Sequence, residues 1–79
     1  MLRRGRELIE KGHISGARMI FEHLAEEKSA LGAFALGQTY DARYLAGIPA
    51  AKGADADEAL AAKWYQRAAE LSNIAADLR

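Results

Sequence analysis

Three groups of residues in this chain have side chains and spacings suited to chemistry. His23 precedes Glu26 and Glu27 by three and four positions, which on a helix sets an imidazole beside two carboxylates. That spacing serves a metal ion or an ion pair, but a metal needs further ligands, and His13 falls across an expected helix boundary. The group reads as a surface ion pair, with a small metal-dependent hydrolase using His23 as the remote alternative. Asp55 and Glu58 stand three apart, a spacing shared by an acid–base dyad and by a helix capping box. No nucleophile or oxyanion donor neighbours them, so capping accounts for both. Trp64 and Tyr65 can stack on a base or grip a peptide, yet they fall on an apolar helical stripe, where aromatic rings are usually core. No catalytic residue, metal ligand or cofactor site is assigned, and the chain is not expected to be an enzyme.

The elements that must position these residues are helices. Leu2 to Lys11 reads as a short helix with Gly12 as its left-handed cap. Arg3, Arg4 and Arg6 crowd its start, where the helix dipole disfavours cations, so the first turn is expected to fray or to meet an acidic partner. From Ile14, Ala17, Ile20, Phe21, Leu24 and Ala25 form one face of a second helix. His13 or Ser15 is its expected cap, and Arg18, Glu22, Glu26 and Glu27 occupy its other faces. Lys28-Ser29 ends it, and Ser29 is placed to cap a third helix, Ala30 to Tyr40, which such a short connection folds back beside its predecessor. Within that helix Gly37 asks for a close helix crossing, since an interior glycine costs about 1 kcal/mol relative to alanine. Arg43 to Leu45 are expected to lengthen it by a turn before Gly47, Ile48-Pro49 and Gly53 interrupt the periodicity as a long loop. A fourth helix, started by Asp55 and Glu58, buries Ala61, Trp64, Tyr65 and Ala68. Ser72-Asn73 is expected to break it before a fifth begins at Ile74 and runs to Leu78.

Composition narrows the function classes. Seventy-nine residues allow one small domain, and although 51% are hydrophobic, alanine dominates that set, giving close helix contacts with little burial per residue. Lysine plus arginine equals aspartate plus glutamate at eleven each, so no global field favours nucleic acid or anionic membrane. The absence of cysteine excludes disulfides and thiolate metal sites and leaves the compartment open, cytoplasmic or periplasmic. No run approaches the roughly 18 apolar residues of a membrane span, and MLRRG lacks the apolar stretch of a secretory signal, so the chain reads as soluble.

An internal repeat links these parts. Ala17, Phe21 and Leu24 overlay on Ala61, Tyr65 and Ala68, and Gly5 overlays on Gly37. The segment WYQRAAELSNIAA, preceded by ADADEALAAK, resembles the second helix and following junction of the Sel-one-like repeat, a relative of the tetratricopeptide repeat. LGAFALGQTY is similar to that family's first helix, with Leu36, Gly37 and Tyr40 at its Leu-Gly-x-x-Tyr positions, and GHISGARMIFEHLAEEKSA resembles a preceding second helix. Departures are Ala33 in place of the large aromatic of the tetratricopeptide pattern, Leu8 in place of a tyrosine after Gly5, and Lys28 and Ser72 at junctions where the family often has glycine. The longer gap between the helices of the second pair fits the variable loops of Sel-one-like repeats. The resemblance implies an all-α fold of antiparallel helix pairs, stacked as a short tetratricopeptide-like or Sel-one-like α-solenoid of about five helices. The first repeat spans about residues 1–28, the second about 29–72, and a third pair starts at 73–79.

In the resembling families the first helices line the concave surface, so Leu31, Phe34, Gln38 and Asp41 are the expected protein-binding residues. The insertion bearing Arg43, Tyr44 and Lys52 is the second candidate surface, because long loops in small domains are often functional. The implied function is a non-catalytic protein–protein interaction or scaffold module. The alternative is a regulatory or targeting appendage cut from a larger bacterial cell-envelope or signalling protein. Two repeats fall short of the three or so that usually give a stable stack, so either a fragment or a homodimer closed through the terminal helices is expected.

Overall fold

The computed structural model describes the backbone of residues 1–51 and 53–77, and the side chains of residues 1–51 and 53–73. Its elements are α1 (Leu2–Glu10), α2 (Ile14–Glu26), α3 (Ala30–Tyr40), the short α4 (Ala42–Ala46), a single 3-10 turn at Pro49–Ala51, and α5 (Glu58–Asp77). The fold is all-α, and the described residues form five α-helices and no strand.

The first two helices end in the same way, and this sets the direction of everything that follows. After α1 the His13 N–H donates to the Leu8 carbonyl at 2.8 Å and the Gly12 N–H to that of Ile9 at 2.9 Å, with Gly12 at φ 85°. After α2 the Ser29 N–H donates to Leu24 and the Lys28 N–H to Ala25, both at 3.0 Å, with Lys28 at φ 70°. Both are Schellman closures, in which one left-handed residue satisfies the last carbonyls and reverses the chain. The junction where the resembling family often has glycine is thus a left-handed lysine here. The Ser29 hydroxyl oxygen then accepts from the Gly32 N–H at 3.0 Å, capping α3 as expected. At the start of α2 the residue before the helix is His13, but neither it nor Ser15 supplies a side-chain cap.

These turns stack α2 on α1 and α3 on α2, and α5 packs along the other side of α3. Ile9, Ile14, Ala17, Phe21, Ala35 and Leu36 are buried together in the main core; Ala25, Ala33, Ala68 and Leu71 form a second cluster, and Trp64 packs against both. Full burial of Phe21, Ile9 and Leu36 stabilises the fold by about 1.5–3 kcal/mol each. One contact between a glycine and an aromatic ring is made twice. A Cβ on Gly5 would overlap the Phe21 ring, and one on Gly37 would stand 2.7 Å from Tyr65 Cδ1 and 3.2 Å from the Ala61 carbonyl oxygen. Each glycine is therefore the point at which the helix pair closes.

The structure differs from expectation in the insertion and in α5. Residues 42–51 are not an open loop: Leu45 and Ala51 are buried in the main core, and Tyr44, Ile48 and Ala54 pack against it. Arg43 to Leu45 do not extend α3, because Asp41 takes an extended conformation (φ −85°, ψ 115°) and its carboxylate caps α4 through the Arg43 N–H at 3.0 Å. Pro49 begins the 3-10 turn, where its missing N–H is not needed. The expected box of Asp55 and Glu58 does not form. Asp57 caps α5 instead, accepting from the Leu60 N–H at 3.1 Å, while Glu58 reaches across to the Ala42 N–H at 3.1 Å. Ser72 and Asn73 do not break α5, which continues to Asp77, since both keep their backbone donors and only modestly disfavour helix. Residues 73–77 therefore extend α5 rather than begin a new pair; Leu78, the expected end of a further helix, lies outside the described residues.

Candidate functional site

The expected α3 stripe divides into an apolar half and a polar half. In the N-terminal half, Leu31 is 66% exposed and Phe34 is 44% exposed on a helix whose Ala33, Ala35, Leu36, Gly37 and Thr39 are buried. Phe34 lies against the Tyr65 ring, centroids 5.3 Å apart and planes inclined by 39°. Together with Ala30, Leu31, Ala68, Ala69 and Ser72 these rings line an open groove of about 410 Å³ between α3 and α5, and among the described residues no charged side chain lines it.

In the C-terminal half, each polar residue is tied to another element. Arg6 from α1 donates through Nη1 to Gln38 Oε1 at 2.6 Å and to the Tyr44 hydroxyl at 3.0 Å, so Gln38 and Tyr44 join α1, α3 and α4. The same guanidinium lies 5.9 Å from the Phe21 ring centroid. Asp41 accepts from the Tyr65 hydroxyl at 2.7 Å as well as capping α4. The Tyr65 hydrogen bond, the largest of several influences, holds the Asp41 carboxyl below its ordinary value. Burial first, then the hydrogen bond and charge of Asp41, push the Tyr65 phenol up to about 12. Arg43 is exposed, and Lys52 lies outside the described residues.

Arg18 is the residue that the periodicity misplaced. Expected on a solvent face of α2, it is half-buried with its guanidinium 4.0 Å from the Tyr40 ring centroid. It donates to the Thr39 carbonyl at 2.6 Å, the Asp55 carbonyl at 2.7 Å and the Thr39 hydroxyl at 3.3 Å. The Thr39 hydroxyl in turn donates to the Leu36 carbonyl at 2.6 Å. One side chain thus ties α2, α3 and the segment before α5. The available signal was its place beside Ala17 at the margin of the apolar stripe, where a long cationic stem can lie along the core and still reach polar groups.

The groups singled out for chemistry stay apart. His23 Nε2 and Glu27 Oε1 are 3.2 Å apart on an exposed surface, and among the described residues no three histidine, cysteine, aspartate or glutamate side chains gather as a metal site. Asp55 and Glu58 engage Arg18 and Ala42 separately, the first through its backbone. Trp64 is half-buried between the two clusters, as its place on the stripe predicts. No described helix is long and apolar enough to cross a membrane.

The chain matches no protein-family model, no curated protein and no solved structure.

Proposed function

We propose that this chain is a non-catalytic protein–protein interaction or scaffold module of the Sel-one-like, tetratricopeptide-like type, taking a protein or peptide partner. The observation that carries this reading is the uncharged groove beside Leu31 and Phe34, on a helix otherwise surrounded by its own neighbours. An apolar patch built around an exposed ring at the edge of a packed core marks a surface for interaction. The Tyr65 hydroxyl, donating to Asp41, holds one of the two rings of that surface in place. The repeated glycine–aromatic closure supports a stacked-pair architecture, in which each pair leaves one face for the next element or for a partner. The balanced charge supports a protein partner over nucleic acid.

The test is selection from a displayed peptide library on the immobilised chain, with Leu31→Glu/Phe34→Glu as the comparison. Binders that require both residues support the reading. Selected peptides that bind the double variant equally well, or none at all, count against it.

A further inference from the structure

The shortest helix of the chain is held from the greatest number of directions. α4 has five residues, too few to persist on its own hydrogen bonds, because so short a helix is nearly all nucleation. Its first two N–H groups are satisfied by carboxylates outside it: Ala42 donates to Glu58 Oε1 of α5 at 3.1 Å, and Arg43 to Asp41 Oδ1 at 3.0 Å. The Tyr44 hydroxyl accepts from Arg6 of α1 at 3.0 Å, and Leu45 is buried in the main core. α4 is therefore ordered by docking, and lifting it from the core also unwinds it.

Asp41 stands at the hinge, extended between α3 and α4, and each of its carboxylate oxygens serves a different element. Oδ1 takes the Arg43 N–H of α4, and Oδ2 takes the Tyr65 hydroxyl of α5 at 2.7 Å. The Tyr65 ring lies against Phe34 and closes over Gly37. When α4 unwinds, the Arg43 N–H leaves Oδ1 and the backbone of Asp41 is no longer fixed, so Oδ2 is no longer held at the Tyr65 hydroxyl. We propose that α4 is a two-state element and that Asp41 transmits its state to Tyr65: docked, the ring is fixed in the wall of the groove; lifted, the hydroxyl is released. Linkage makes the coupling reciprocal, so a partner that holds the Tyr65 ring in place raises the order of α4. That consequence for recognition rests on the interaction reading, whereas the link between α4 and Tyr65 does not.

The test uses the whole isotopically labelled chain without a partner. The amides of Leu45 and Gly47, which donate to the Asp41 and Tyr44 carbonyls, report the order of α4 in native-state hydrogen exchange. In the parent chain they should exchange at least about tenfold faster than Leu36 and Gly37 of α3, through an opening smaller than global unfolding. Tyr65→Phe removes the hydroxyl and keeps the ring, and should speed both amides at least about threefold. In the other direction, Leu45→Gly unwinds α4 and should bring the Tyr65 phenol part of the way down from about 12, Arg43 and Glu58 being the other charges that act on it. Circular dichroism checks that the remaining helices persist in that variant, and if they do not, exchange in Tyr65→Phe decides alone. Exchange of Leu45 and Gly47 only with global unfolding would overturn the inference. So would unchanged exchange in Tyr65→Phe, or a phenol still near 12 in a folded Leu45→Gly chain. Such a failure leaves the interaction reading standing, and a failed peptide selection leaves this link standing.

Discussion

At the scale of single residues, charge and backbone conformation make two measurable statements. Tyr65 is held protonated by burial first and then by its donation to Asp41, so its folded-state value of about 12 exceeds its ordinary value of 10.0. The stability this contributes is whole below pH about 10 and is lost as pH rises towards about 12. The depressed Asp41 carboxyl works in the opposite direction: its contribution is present above the ordinary carboxylate value and is lost as pH falls through the lowered one. A spectrophotometric titration should show the Tyr65 phenol ionising near pH 12, and Asp41→Asn should lower it part of the way towards 10.0. A late phenol that ignores the substitution would contradict the pairing. Lys28 makes the second statement. A lysine at φ 70° costs about 1 kcal/mol that glycine avoids, so Lys28→Gly should raise the urea midpoint by a stability increment of about 0.5–1 kcal/mol. That lysine fills this left-handed position is strain which only the backbone shows.

At the scale of elements, the glycines separate propensity from packing. On propensity alone, Gly→Ala inside a helix stabilises by about 1 kcal/mol. At Gly37 the new methyl would meet the Tyr65 ring, which is pinned by Asp41 and Phe34, and the Ala61 carbonyl, which cannot rotate away. Gly37→Ala should therefore lose about 1–2 kcal/mol by overpacking, whereas Gly16→Ala, whose nearest neighbour would be Leu8 Cδ1 at 3.4 Å, should gain up to about 1 kcal/mol. Chemical denaturation of both variants gives the comparison, and equal gains at both sites would sink the repeated closure. The three first helices, the Gly12 and Ser29 caps and the Gly37 crossing were readable because period, cap residues and interior glycine are local signals, whereas the expected cap of α2 at His13 or Ser15 does not form. The insertion was not, since α4 and the 3-10 turn are too short to show a period, and Leu45 and Ala51 are buried by contacts distant in sequence. The start of α5 was misplaced for a related reason: Asp55, Asp57 and Glu58 offer competing caps, and the Asp57 N–H donating to the Tyr40 carbonyl at 2.8 Å decides between them.

At the scale of the whole molecule, the helices form a slab with principal extents of 40 × 24 × 16 Å, so few residues lie far from solvent. Its core is divided by α3, whose small residues let α2 and α5 approach from two sides. That central role was hidden in the sequence because alanine, glycine and threonine give no sharp amphipathic contrast, even though they were placed in the correct helix. The candidate surface was legible in part. Leu31 and Phe34 stand exposed on the expected stripe, while the ties of Gln38 and Tyr44 to Arg6 and of Asp41 to Tyr65 depend on partners distant in the chain. The account makes Leu31 and Phe34 residues of recognition and not of folding, and this separates it from a reading in which they merely complete the core. The direct measurement is thermal stability and selected-peptide affinity of Leu31→Ser/Phe34→Ser beside the parent chain. The prediction is a stability loss below about 1.5 kcal/mol with at least about tenfold weaker binding. Collapse of the fold, or unchanged affinity, would contradict it.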